Sequence, residues 1–433
     1  MYSIAIWYYL FIVKTTGELH SSERQIEVQL NPGCNISECS SENFTDNIIY
    51  ARSKGRNDTL HYVWSTGGSP TLLMVKCLNT SSIVIVDWPN FIQKKNTSLT
   101  DGSIHIDGGE ATCTSILMMF NSLFEYTDAA GNADITSDMN TNITLINFNE
   151  LLWDTRTTFA ENNYEVFIQS RSFIDKSDQF CFGSHCGISM SFKLFNHGGM
   201  LNNFPKYHYN DQYLAIDFAM SNLSTKSVNS RFSLSTSVSY PINGMLLADC
   251  LGTTNNSHCL KLMHSKSIND EYSPSAFSKT TVLWRSLHSS LFWYWKDICY
   301  LRFESLSSVQ YSSNVKASPL IPANLATVTS NSFVNAFVQS MNIEKIGFNS
   351  SIISFGKQDD GFFRKTNFTN WVSMIGFDKP PSDNFSTFTV CIILFVFVLP
   401  LMIAIFIWIF LCIRCFRMRY TLFGKIKDGY QPI

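Results

Sequence analysis

Gly183-Ser184-His185-Cys186-Gly187 puts three reactive side-chain types within five residues. Acyl transfer on a nucleophile elbow needs the nucleophile at the centre of G-x-S-x-G, on a strand-to-helix turn. Here the centre is His185, and Cys186 has Cys181 close enough to pair with. Cys181, His185 and Cys186 also read as zinc ligands, but structural zinc takes four ligands at tighter spacing. A disulfide is the simpler assignment. Asn269-Asp270-Glu271-Tyr272 sets two carboxylates side by side. Adjacent strand residues point to opposite faces, so a solvated or capping role suits this pair better than acid–base work. The nine histidines are scattered, and there is no H-E-x-x-H, phosphate loop or dinucleotide fingerprint. The expectation is therefore no catalytic residue, no cofactor and no metal.

The chemistry that remains is recognition and modification. Gly429-Tyr430-Gln431-Pro432-Ile433 carries a Tyr-x-x-bulky pattern. Clathrin adaptors read this form when an extended peptide pairs with an adaptor strand and Tyr430 and Ile433 fill two pockets. Placed in a short cytosolic tail, it addresses a protein to the lysosome. Eleven N-x-S/T sequons stand at Asn35, Asn43, Asn57, Asn79, Asn96, Asn142, Asn222, Asn255, Asn349, Asn367 and Asn384. The set favours a heavily glycosylated surface and places these residues in exposed loops or strand ends.

Both features require a membrane topology, and the apolar ends supply one. Ile4 to Val13 is an unbroken apolar run, too short to span a bilayer and suited to a signal-peptide core, with cleavage before Glu18. Residues 390–413 contain no charge. As a helix they would cover about 36 Å, more than the ~30 Å hydrocarbon core. Pro400 sits inside this span, where proline is tolerated. Arg414, Arg417 and Arg419 follow it, while Asp378 and Asp383 precede it. Basic flanks stay cytoplasmic, so the bulk of the chain is lumenal.

Twelve cysteines divide as nine lumenal, two in the span and one in the tail. In an oxidising lumen they should pair. Close spacing suggests Cys34 with Cys39, Cys181 with Cys186, and Cys250 with Cys259; Cys77 with Cys113 is a longer candidate, leaving Cys299. An odd lumenal count leaves one thiol free or joined between chains, as in a homodimer. Cys412 and Cys415 flank Arg414 at the membrane edge, where palmitoylation competes with an unmodified thiol.

Charged residues make up 15% of the chain, against about 25% in a typical soluble domain. The stretch 18–389 has a balance of −7 and no basic stripe, which sets nucleic-acid binding aside. Short β-type runs recur at Thr59–Ser65, Thr71–Cys77, Ser82–Trp88, Ser103–Ile106, Tyr164–Ser170, Gly187–Leu194, Tyr213–Met220 and Arg231–Tyr240. Gly67 to Pro70 is a turn, and Asp107-Gly108-Gly109 is a hairpin signal. Arg231–Tyr240 alternates strongly, which predicts one wet and one buried face. Cys113–Tyr126 is the best helix candidate. The fold expected is mainly β: a sandwich-like lumenal region of two packed sub-domains, plus one transmembrane α-helix. The divisions are a signal peptide (1–17), two β sub-domains (18–225 and 226–378), a stalk (379–389), the span (390–413) and the tail (414–433).

Several segments together resemble the glycosylated lysosomal membrane protein family. Thr59-Leu60 with His61-Tyr62-Val63-Trp64-Ser65 looks like its LHYVWS strand. Ser267-Ile268-Asn269-Asp270-Glu271-Tyr272-Ser273-Pro274, with Phe277 and Trp284, is similar to its S-I-D-D-E-Y-A-P block, although Asn269 stands where the family has Asp. Gly376-Phe377, Pro380-Pro381 and the Tyr-based tail also agree. The resemblance implies a non-catalytic accessory subunit of a lysosomal major-facilitator transporter for dipeptides. That subunit would bind the carrier and shield it from lumenal proteases.

Overall fold

The computed structural model describes residues 23–41, 44–93, 102–108, 113–133, 135, 142–160, 163–170, 187–201, 204–241, 261–266, 277–283, 297–301, 311–313, 315–317, 321–322, 331–338, 346–356, 358, 361–365, 367–377, 392 and 394–427. In chain order the strands are β1 (Gln25–Leu30), β2 (Ile48–Lys54), β3 (Thr59–Ser65), β4 (Thr71–Cys77), β5 (Ile83–Val86), β6 (Ile104–Asp107), β7 (Cys113–Thr127) and β8 (Ile143–Asn147). They continue as β9 (Trp153–Ala160), β10 (Asn163–Ser170), β11 (Gly187–Leu194), β12 (Gly199–Leu201), β13 (Phe204–Tyr209), β14 (Tyr213–Ser221) and β15 (Ser230–Pro241). The last are β16 (Lys261–Lys266), β17 (Phe277–Leu283), β18 (Asp297–Leu301), β19 (Tyr311–Ser313), β20 (Val315–Ala317), β21 (Ile321–Pro322), β22 (Ile346–Phe355) and β23 (Phe368–Gly376). The helices are α1 (Trp88–Gln93), α2 (Ser332–Val338) and α3 (Leu399–Lys427).

Two large antiparallel sheets result. The first runs β1-β2-β3-β4-β7-β15-β22-β20, with β8 on β7 and β21 on β22. The second runs β16-β17-β18-β23-β14-β11-β10-β9, with β19 on β18. Side chains at alternate positions of each sheet meet in one core. Trp64, Phe120 and Phe355 of the first sheet pack with Phe192, Phe218 and Trp371 of the second. Trp64 and Phe192 ring centroids lie 5.8 Å apart, and Phe355 and Trp371 5.9 Å, within the range in which aromatic pairs attract. This is the mainly β sandwich expected. Residues Ser21–Pro381 form one compact unit. Both sheets recruit strands from either side of residue 225: β7 pairs with β15, and β14 with β23. The two packed layers are thus sheets, not consecutive stretches of chain.

The first sheet is covered on its other face as well. Tyr50, Val63, Leu73, Val75, Leu117, Met119 and Phe348 form a second apolar cluster beneath Trp88 and Phe91 of α1, Val84, Ile104 and Ile106 of the β5–β6 pair, and Phe333 and Phe337 of α2. Every residue of β3 is consequently buried. Two-sided burial also explains the main departure from expectation. Cys113–Thr127 is not a helix but the longest strand, β7, flanked by β4 and β15. Ile116, Met118 and Phe120 enter the inter-sheet core while Leu117 and Met119 enter the second cluster. A strand that is apolar on both faces loses period-two alternation.

β15 departs in the opposite sense. Phe232, Leu234 and Val238 face the core, but the alternate serines are not wet. Ser233, Ser237 and Ser239 are buried. They are satisfied across the ladder: Ser233 Oγ donates to Ser354 Oγ at 2.9 Å, Ser237 and Ser350 hydroxyls meet at 2.8 Å, and the Leu117 amide donates to Ser239 Oγ at 2.7 Å. Burying hydroxyls is tolerable when each finds a partner. Asp107-Gly108 is also not a hairpin: β6 pairs with β5, and β7 with β4.

The helix α3 belongs to a separate unit from the sandwich. Leu394–Met418 is apolar enough to cross a membrane, with mean hydropathy 3.0. A π-helical turn at Leu394–Val398 opens this segment, directly ahead of α3. Pro400 has no N–H for the carbonyl four residues earlier, and the widened turn lies where that bond is missing. The helix continues past residue 413 to Lys427.

Candidate functional site

Among the described residues, one group resembles a nucleophile–base pair. Tyr50, Arg52 and His61 come from the β2–β3 ladder, in which Arg52 lies opposite His61. Ser82 just precedes β5. His61 Nδ1 is 2.8 Å from Tyr50 Oη, and His61 Nε2 is 2.9 Å from Ser82 Oγ. Ser82 Oγ donates to the Asn79 carbonyl at 2.9 Å. That fixes the direction of the chain: the Nε2 proton is donated to Ser82, and Nδ1 accepts from Tyr50. Burial, aided by the nearby Arg52 charge, pushes His61 down to about 4. Burial likewise pushes the Tyr50 phenol up to about 12.

This arrangement is built for holding, not for turnover. A serine nucleophile must offer its proton to the base, yet Ser82 commits its proton to a backbone carbonyl. His61 and Ser82 are both 0% exposed, and the group on Nδ1 is a phenol, not a carboxylate. The group instead ties β2, β3 and the Ser82 segment together with satisfied polar contacts. No cluster of metal-ligating side chains occurs among the described residues.

A second polar cluster joins the two sheets. Arg24, buried ahead of β1, donates through Nη2 to Asp58 Oδ1 at 2.6 Å, through Nε to Asp211 Oδ2 at 2.8 Å, and through Nη1 to the Ser53 carbonyl at 3.2 Å. Asp58 lies in the β2–β3 turn of the first sheet, and Asp211 just before β14 of the second. Burial disfavours the guanidinium charge, but Asp58 and Asp211 outweigh it and hold the Arg24 pKa above its ordinary value. Lys76 extends the network, 3.5 Å from Asp58 Oδ2 and 2.6 Å from Gln212 Oε1. Such planar two-carboxylate recognition suits arginine.

The modification residues are distributed over the sandwich. Disulfides join Cys34 to Cys39 and Cys77 to Cys113, the latter directly across the β4–β7 ladder. Asn35 is exposed within the first disulfide loop, Asn57 in the β2–β3 turn, Asn142 ahead of β8 and Asn367 ahead of β23; Asn222, just past β14, is half-buried. Asn79 is half-buried, and its Nδ2 donates to the Gly108 carbonyl. Asn349 differs from a loop position: it lies within β22, opposite Val238 and Pro322. Its sequon arises there because Ser350 and Ser351 belong to the serine ladder. Asn43, Asn96, Asn255, Asn384, Cys181, Cys186, Cys250, Cys259, Ser267–Pro274, Tyr430 and Ile433 lie outside the described residues. Tyr50, Ser82, Arg24, Asp58 and Asp211 were not singled out by sequence, because their partners arrive from distant positions in the chain.

A β-sandwich unit with sequon asparagines in exposed turns, followed in the chain by the one long apolar helix among the described residues, defines a single-span membrane glycoprotein. The family model described as "Glycosylated lysosomal membrane protein" matches residues 47–418, and the chain belongs to that family. It is 26% identical over 432 residues to glycosylated lysosomal membrane protein B of Xenopus laevis, covering 98% of this chain and 95% of that one. It is 27% identical to the Danio rerio protein (96% and 94% covered) and 21% identical to that of Homo sapiens (88% and 86%). These names describe a lysosomal membrane glycoprotein and no enzymatic activity. The protein is a single-pass type I protein of the lysosomal membrane.

Proposed function

We propose that the protein is a non-catalytic accessory subunit that binds a lysosomal major-facilitator dipeptide transporter and shields it from lumenal proteolysis. The observation that supports the non-catalytic reading most directly is the sealed Tyr50–His61–Ser82 chain, whose proton directions oppose nucleophilic use. The shielding reading draws on the construction of the lumenal unit. A sheet buried on both faces, disulfides and inter-sheet ion pairs open rarely, and protease attack requires opening. Glycans on exposed turns would add bulk over loops. Tyr430 and Ile433 supply the clathrin-adaptor address that delivers the complex.

The test is depletion of the protein followed by pulse-chase of candidate carriers in isolated lysosomes. A shortened carrier half-life, restored by lysosomal protease inhibitors, is the expected result. An unchanged half-life for every co-purifying carrier removes the proposal.

A further inference from the structure

We infer that Cys412 and Cys415 are acceptors for long-chain fatty acyl groups in thioester linkage, at the cytosolic edge of α3. Both are free cysteines, Cys415 exposed and Cys412 partly so. They lie three residues apart in a continuous helix, and residues at that spacing share a face. At 100° per residue, Ala404, Trp408, Cys412 and Cys415 fall within one arc of about 80°. Leu411, Ile413 and Phe416 beside them are exposed as well. Both thiols thus open on one face of the helix, and an acyl chain on either sulfur runs back along that face beside Trp408 and Ala404.

Their level in the membrane is fixed independently. Arg414, the first charge after the apolar segment, stands between them, and Arg417 and Arg419 follow. A basic group here sits among anionic headgroups, so both sulfurs lie at the boundary between hydrocarbon and cytosol. An acyl chain attached there turns straight back into its own leaflet. The cytosol is reducing, so these thiols do not rest as a disulfide.

The donor is a fatty acyl-CoA. The cysteine thiolate attacks the thioester carbonyl carbon, a new sulfur–carbon bond forms, and the bond to the CoA sulfur breaks. CoA leaves as its thiol with the proton that the cysteine gave up, so no oxidant or reductant is needed. The inference rests on the membrane topology and not on the transporter proposal.

Full-length protein expressed in cells tests it by acyl exchange. Free thiols are blocked with N-ethylmaleimide, thioesters are cleaved with hydroxylamine, and the released thiols are tagged with a maleimide polymer. Two hydroxylamine-dependent mass steps are expected for the wild type, one for Cys412→Ser or Cys415→Ser, and none for the double replacement. An unchanged glycan ladder in each variant shows that its lumenal domain is intact. A wild type with no hydroxylamine-dependent step carries free thiols only, and overturns the inference. So do steps that survive the double replacement.

Discussion

The Asn222 amide donates to the Asn367 carbonyl at 2.7 Å, and both asparagines hold left-handed backbone, with φ of 51° and 50°. Each heads a sequon, and they cap the same end of the β14–β23 ladder, one step beyond the Ser221–Phe368 pair. Left-handed backbone costs a side chain with a branched Cβ about 1–2 kcal/mol, and asparagine or glycine less. Asn222→Val and Asn367→Val should each lower stability by about that amount. Asn222→Gly and Asn367→Gly should be nearly neutral in backbone terms. All four abolish a sequon, so thermal denaturation of the Val and Gly variants separates strain from glycan loss.

His61 makes acid stability testable. Unfolded histidine titrates near 6.5 and His61 near 4. Between those values the unfolded chain binds a proton that the folded chain refuses, so this residue's stabilising contribution is present above pH 6.5 and lost as pH falls toward 4. From pH 7 to 5 the loss amounts to about 2 kcal/mol. His61→Gln removes that term. The variant should be less stable at pH 7, with a shallower decline to pH 5, as read from unfolding midpoints at both values. Parallel declines would refute the assignment.

Arg24 is held by two carboxylates from different sheets. Arg24→Met removes the cation between the partly buried Asp58 and Asp211 and leaves Asp58 to Lys76 alone, at a cost of roughly 3 kcal/mol. Arg24→Lys keeps the charge but cannot reach both carboxylates with planar geometry, and should recover only part. Unfolding midpoints should rank wild type, Lys, then Met.

The Cys77–Cys113 bridge closes a loop of 36 residues in sequence separation. Chain-entropy reasoning assigns it about 3–4 kcal/mol. Cys77→Ser with Cys113→Ser should therefore lower the unfolding midpoint far more than Cys34→Ser with Cys39→Ser, whose loop spans a separation of only 5. Equal effects would show that strain or denatured-state structure dominates.

Tyr430→Ala should move steady-state protein from lysosomes to the plasma membrane, detected by surface biotinylation. A protein that stays lysosomal must carry another address.

Strand positions with local signals were legible in the sequence. Thr59–Ser65 and Thr71–Cys77 appear with the expected bounds, because Gly67 to Pro70 marks the turn between them. β7 was misread because apolar residues on both faces remove the period that distinguishes strand from helix. The short helices carry side-chain caps of the kind a sequence can signal. Asn331 Oδ1 accepts from the Phe333 and Val334 amides at the start of α2, and Asp87 accepts from the Asn90 amide at α1. The pairings β7–β15, β15–β22 and β14–β23 join residues more than a hundred positions apart, and no local pattern encodes them. The histidine site was half legible. His61 stood in a recognisable strand, but its partners Tyr50 and Ser82 are chosen by register and by the path of the β5 segment.

α3 does not stop where the charges begin. The fourteen residues from Arg414 to Lys427 add a rod of about 21 Å to the membrane helix, with Tyr430 three residues further along the sequence. A rod confines what it carries to a narrow cone, where a slack leash would let it sweep a hemisphere. Lys427 is consequently held at a set distance from the end of the apolar segment, and shortening the mast by whole turns should lower lysosomal delivery without altering one residue of the tyrosine peptide.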